Sequence, residues 1–292
     1  MAKQLNVGDV VIDKLQCEGA LGSFDLITHF EELNIYEDIF SNTLQAHITL
    51  QESYNLPQYI PFMGEETIDC SIRLQGITSD AEGSTIIQPP KFHVHDLSDR
   101  FFKTPKSQRY SLDLVSEQYM SNLHAKVSKS YADFTIDEIV GDIWSNYLDD
   151  DKDLFVEETE RNEHIIIPNW HPHDAFNWLA TRATSAEDDA AHNFLYYETM
   201  AGSHFVSLNS LIDVEPSLTF TLEPRVDDPT KIEALSEQIV KVDNIIYDNQ
   251  FHKIKNVKRG QYSQNLSHMI LLRRRLYNMI LMVLMNGLLI II

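Results

Sequence analysis

This chain of 292 residues is poor in cysteine and in positive charge. Two cysteines, Cys17 and Cys70, exclude a disulfide framework and any cysteine-rich zinc site. Each lies in a strand-like stretch beside apolar neighbours, so buried free thiols are expected. Twenty-three Lys and Arg stand against 44 Asp and Glu, a net charge of −21 that excludes a general phosphate-binding surface. Sequence-specific nucleic-acid binding is therefore not expected. No G-x-S-x-G, G-x-x-x-x-G-K-[ST] or G-x-G-x-x-G occurs, so the signatures of a nucleophile elbow and of nucleotide-cradling loops are missing. The first residues, MAKQLNVGDVVIDKLQ, hold no apolar core of signal-peptide length, which points to folding in the cytosol.

What is present is an ordinary globular composition, 43% hydrophobic and 23% charged, with chain enough for two domains. The first hundred residues alternate with a period of two. Leu44, Ala46, Ile48 and Leu50 interleave with Gln45, His47, Thr49 and Gln51; Ile68, Cys70, Ile72 and Leu74 interleave with Asp69, Ser71, Arg73 and Gln75. One face of each strand is then buried and the other wet, as in antiparallel sheets and barrels. Phe24, Leu26 and Phe30 suggest a further strand, and Phe92 with Val94 another. The stretch Ser79-Asp80-Ala81-Glu82-Gly83-Ser84 is a turn region.

The period then changes. Ile136, Ile139, Val140, Ile143, Trp144, Tyr147 and Leu148 form one stripe of a helix. Thr135 and Glu138 have capping-box spacing, with Phe134 and Ile139 at the staple positions. Asp149-Asp150-Asp151 would repel the negative end of the helix dipole and marks its stop. A second helix is expected from about Pro172 to Ala183. Strands return at 194–198 and 204–208 around Ala201-Gly202-Ser203, a hairpin pattern, and again at Leu218, Phe220 and Leu222.

Histidine pairs are the candidates for chemistry. In NWHPHDAFNWL, His171, His173 and Asp174 lie within four positions, but a helix start explains each letter. Pro172 at the first helical position forfeits no hydrogen bond, and a first-turn carboxylate suits the positive end of the dipole. His93 and His95 are better placed, because residues i and i+2 of a regular strand share a face. Neither pair has a third ligand at recognisable spacing. A metal-dependent enzyme using His93/His95 or His171/His173 is the minor alternative, and no catalytic, cofactor-binding or metal residue is assigned.

The order of two blocks carries a resemblance. The first is Tyr36-Glu37-Asp38-Ile39-Phe40 followed by TLQAHITLQESYNLPQYIPFMGEETIDCSIRL, with a strand ending at Glu52, then Asn55-Leu56, and the turn Pro61-Phe62-Met63-Gly64-Glu65. The second is WHPHDAFNWLATRATS followed by the aromatic hairpin NFLYYETMAGSHFVSLNSLI. Together they resemble the baseplate hub subunit of T-even-type contractile-tailed phages, over roughly residues 6 to 268. The resemblance implies an α+β, mainly β fold: two small antiparallel tube-type β-barrels with an intervening helical insertion. It divides the chain into a first barrel at 1–105, a largely helical insertion at 106–190 and an incomplete second barrel at 191–268.

The same resemblance implies a non-enzymatic homotrimer without cofactors, folded in the host cytoplasm and resident in the virion tail baseplate. Its partners would be the spike or tail-lysozyme protein, the tail tube and other baseplate proteins, with DNA passing through its lumen. A hub of a related contractile injection or secretion system is the nearer alternative. The pattern breaks at Met269, where Arg273-Arg274-Arg275 and LYNMILMVLMNGLLIII follow. That run is short for a spanning helix, and a reading-frame change or truncation within 269–292 is expected rather than a membrane anchor.

Overall fold

The computed structural model describes residues 10–20, 22–59, 62–75, 84–148, 152–187, 191–216, 219–222, 241–242, 244–246, 252–258, 263–270, 275–283 and 289–291. It is mainly β, built of antiparallel sheets with helices set among them. The chain divides into two compact units, Met1–Ser217 and Leu218–Ile292.

The first unit opens with an eight-stranded antiparallel sheet. Its members are β1 (Val10–Gly19), β2 (Gly22–Asp25), β3 (Phe30–Tyr36), β4 (Gln45–Glu52), β5 (Thr67–Gln75), β6 (Ser84–Ile87), β7 (Phe92–Thr104) and β8 (Ser107–Ser116). The strand order is β2-β1-β5-β7-β8-β4-β3, with β6 beside β5, and no ladder joins the ends β2 and β3 among the described residues. The alternation read from the sequence decides which face turns inward. Leu44, Ala46, Ile48, Leu50, Ile68, Cys70, Phe92 and Val94 all lie in one apolar core with Leu15, Cys17, Tyr110, Leu112 and Leu114. Ile72 stays half-buried, and the side chain of Leu74 lies outside the described set. Burial pushes the Cys17 thiol up to about 12 and that of Cys70 to about 11, so both remain protonated core residues.

Residue 105, expected to close the first β domain, is instead the turn between β7 and β8, and the sheet runs on to Ser116. Helix α1 is the single turn Leu56–Tyr59. Helix α2 (Glu117–His124) then leads into a second core. There β9 (Val127–Thr135) pairs with β11 (Asn162–Trp170), while β10 (Asp153–Val156), β13 (Gly202–Ser207) and β12 (Phe194–Glu198) form a three-stranded sheet. Helix α3 (Ile136–Ile143) starts at Thr135, whose backbone N–H donates to Glu138 at 3.1 Å, the reciprocal half of the capping box. It continues as a π-helical turn over Trp144–Leu148. Phe134 does not act as a buried staple: it is 45% exposed and sits edge-on to Tyr131.

Helix α4 (Pro172–Ala180) begins at Pro172 as read, and ends three residues sooner than expected. Ile139, Val140, Ile143, Ile165, Ile167, Phe176, Leu179, Phe194, Tyr196 and Phe205 share one core. The sequence division at 190/191 therefore passes between a helix and a hairpin that pack together. A short helix α5 (Leu208–Ile212) follows, its first turn capped by the Ser207 hydroxyl.

Four non-glycine residues have positive φ: Asn55, Asp99, Asp133 and Asn169. Asn and Asp tolerate this region best. The last three fall where the register of β7 or of the β9–β11 pair shifts, so each sits at a bulge.

The second unit contains β14 (Thr221–Leu222) parallel to β15 (Lys241–Val242), helix α6 (Lys253–Lys258), and an antiparallel sheet of β16 (Ser263–Ile270), β17 (Arg275–Val283) and β18 (Leu289–Ile291). Much of the apolar run after Arg275 is thus strand. Among the described residues no helix is long and apolar enough to cross a membrane. The turn region at 79–84 lies outside the described residues except for Ser84, and Leu218 and Asp149-Asp150-Asp151 lie outside them as well.

Gly202 makes the close approach of β13 to β10 possible. A Cβ there would run into the carbonyl oxygen of Asp153 on β10 and crowd the Phe155 ring, and both are held by the sheet. Gly202→Ala is expected to lower the stability of the protein by about 1–3 kcal/mol, read as a fall in the urea midpoint at unchanged slope.

Candidate functional site

The histidine pairs do not converge. A bulge between Val94 and Asp96 breaks the alternation of β7, so His93 faces Val115 in the ladder while His95 is the extra residue. His95 lines a concavity of about 430 Å³ with Tyr36, Gln45, His47 and Asp113. Within it His47 Nδ1 meets Asp113 Oδ1 at 2.7 Å, and the Ser98 hydroxyl donates to the other carboxylate oxygen at 3.2 Å. Among the described residues no group of three His, Cys, Asp or Glu is placed to hold a metal ion.

His171 and His173 work as structural joints. His171 Nδ1 lies 3.0 and 2.9 Å from the carbonyls of Asn122 and Ala125, so that nitrogen carries the proton and donates. The backbone N–H of His173 donates to the Asn122 side chain at 2.9 Å. Both contacts tie the start of α4 to the end of α2. The His173 ring is buried against Phe176 and Tyr196, and its Nε2 has no partner. Burial, and secondarily the nearby His171, hold its pKa down to about 4.

Three buried glutamates organise the first unit. Glu52 closes the β4–α1 turn by accepting from the N–H groups of Tyr54 (2.6 Å) and Leu56 (2.8 Å), and it takes a short bond from Gln108. Arg100 reaches the same node through Gln108 and Asn55. Glu66 accepts from Met63 N–H at 3.0 Å and Gly64 N–H at 2.8 Å, shaping the Phe62-Met63-Gly64-Glu65 turn. Pro61 lies outside the described residues.

Glu198 is fully buried at the seam between the eight-stranded sheet and the second core. It accepts from Leu44 N–H at 2.8 Å and Ser116 Oγ at 2.5 Å, and pairs with Lys152. Around it Gln118 donates to Ser203 Oγ at 2.6 Å and accepts from Tyr196 Oη at 2.9 Å. Glu37 takes the N–H of Met200 at 2.7 Å, and Asn42 meets Asn177 at 3.0 Å. Beside this seam Ile39, Phe40, Asn177, Ala180, Thr181 and Leu195 help line an open groove of about 370 Å³.

Sequence reading assigned none of these seam residues. One signal was present: Glu198 ends an aromatic strand, where a carboxylate facing the core needs partners.

No protein-family model matches the chain, and no curated protein does. Solved structures do match, at low identity. A 43 kDa tail protein of prophage MuSo2 from Shewanella oneidensis is 11% identical, with a TM-score of 0.43, over 74% of this chain and 58% of its own. A tail protein from Neisseria meningitidis is 11% identical, with a TM-score of 0.44, over 74% and 56%. A chain of the Francisella PdpA–VgrG complex is 13% identical, with a TM-score of 0.41, over 73% and 31%. The protein spans a little over half the length of the two tail proteins.

Two outcomes follow from this geometry. Removing one partner of a buried ion pair strands the other, so Glu198→Ala should cost about 3–5 kcal/mol in urea unfolding, and Lys152→Met combined with Glu198→Gln should cost less than the two singles added. For His173 the folded pKa near 4 lies below the unfolded value of about 6.5. The unfolded chain then takes up the proton first, and stability is lost as pH falls through that window. His173→Leu should flatten the pH dependence of unfolding between pH 6.5 and 4 by up to about 3 kcal/mol, measured on both proteins in parallel.

Proposed function

We propose that this protein is a structural hub of a contractile tail, a homotrimer that joins the sixfold tail tube to the threefold spike and encloses part of the DNA channel. The observation that carries the reading is the interlocking of its two signature blocks. Thr43–Leu74 and the Glu37–Phe40 segment come from one block; helix α4 and the β12–β13 hairpin come from the other. They meet at the buried Glu198 seam, through Leu44, Glu37 and Asn42 on one side and Glu198, Met200 and Asn177 on the other. Residues that read as separate signatures thus build one joint, which is what a shared fold requires of them.

The role is mechanical rather than catalytic, and its working parts are surfaces toward other copies, the tube, the spike and other baseplate proteins. Net charge of −21 suits a channel wall along which DNA slides without sticking. The protein would assemble in the host cytoplasm and reside in the virion tail.

Light scattering on the purified protein tests the reading. A particle of three times 33.7 kDa is expected. A monomer at every concentration up to about 100 μM, well above the micromolar range of weak but specific contacts, would count decisively against it.

A further inference from the structure

The β7–β8 hairpin joins basic residues to exposed aromatic ones in an otherwise acidic chain. Beyond Leu97 the β7 side of the β7–β8 hairpin forms an exposed arm along the edge of the sheet, with every residue from Asp99 to Lys106 exposed, while β8 stays paired with β4 as far as Gln108. Phe101 is 47% and Phe102 68% exposed. Arg100, Lys103, Lys106 and Arg109 stand there against a single acidic residue, Asp99. Arg109 is paired with Glu31 at 2.7 Å, and Lys103 approaches the same carboxylate only at 3.9 Å. Arg100 bonds to neutral amides alone, and Lys106 forms no ion pair among the described residues. Toward β5, β7 is paired only at Phe92 and His93, so the outer edge of the arm has no ladder partner among the described residues.

The second core carries the opposite surface. Phe134 is 45% exposed there, beside exposed Asp133, Glu138, Glu158 and Glu160. Hydrogen bonds hold these positions together: Asp133 with Asn162, Glu138 with Thr135, and Thr159, between Glu158 and Glu160, with Asp137. Two arginines approach this end: Arg161 lies 3.8 Å from Glu160, and Arg182 pairs at 2.8 Å with Glu163, which faces Phe134 across the β9–β11 ladder.

We infer that the β7–β8 arm of one copy docks on the acidic, Phe134-bearing end of the second core of the next copy. Basic residues flanking exposed phenylalanines on one surface meet acidic residues flanking an exposed phenylalanine on the other. The two patches are different regions of the same chain, so the contact is head-to-tail. A contact of that kind either closes into a ring or runs on as a filament. Within the proposed homotrimer, on which this inference rests, it closes after three copies. Charge complementarity of this kind fixes register and partner, and like-charge juxtaposition is penalised. The bulges and lysines of the arm keep its free edge from unspecific strand pairing, leaving the side chains to select the partner.

A charge swap tests the inference. Lys103→Glu with Lys106→Glu should weaken self-association at least about tenfold in light scattering, with an unchanged circular-dichroism spectrum. Adding Glu158→Lys with Glu160→Lys to the same chain should restore the trimer. A trimer untouched by the arm reversal overturns the docking mode and leaves the hub reading standing. Loss without rescue also overturns it, because the arm would then be meeting some other surface. A monomeric parent protein overturns the trimer reading and this contact together.

Discussion

The architecture of the first unit depends on one buried carboxylate. Glu198 has no contact with water, so every lone pair it presents must be met from within the protein. The donors come from three places far apart in sequence: the N–H of Leu44 entering β4, the hydroxyl of Ser116 leaving β8, and the ammonium of Lys152 ahead of β10. An apolar contact at this seam could slide by an ångström at little cost. A buried ion pair with directional donors cannot, because any displacement leaves a charge unsatisfied in a low dielectric. The seam therefore contributes more to fixing one geometry than to net stability, and the two cores of the unit are held in register by it.

Glutamate serves the same end on a smaller scale in the turns. Glu52 and Glu66 each fold back on backbone N–H groups two to four residues away, replacing the hydrogen bonds that the ladder can no longer supply. Fixing the Glu52 turn positions Gln108 and Arg100, and through them the root of the β7–β8 arm. A chain can present a rigid surface on an exposed hairpin edge only if the root is ordered, and here the buried Glu52 carboxylate orders it.

Much of this was legible in the sequence, and the limits have physical causes. Leu44 to Leu50 alternate cleanly because β4 lies between two partners with one face on the core, and the capping-box spacing at Thr135 located the start of α3 because that signal is local. Pro172 marked the start of α4 for the same reason. What escaped was long-range or irregular. The bulge that turns His95 away from His93 has no periodic signature, since one inserted residue looks like any other. The boundary expected at 105 falls in the turn between β7 and β8, because a tight hairpin within one sheet leaves the same local break in pattern as the end of a domain. Glu198 read as the end of an aromatic strand, because its three partners are 46, 82 and 154 residues distant.

A net charge of −21 opposes self-association over the whole surface, so copies of this chain can meet only where the charge is locally reversed or shielded. General repulsion combined with local attraction is a specificity device. It disfavours every docking mode except those that bring a basic element onto an acidic one. In this structure the four clustered cations of the arm supply such an element, and its phenylalanines supply the apolar area that charge alone does not provide. Repulsion over most of the surface and attraction at such an element then arise from one charge distribution.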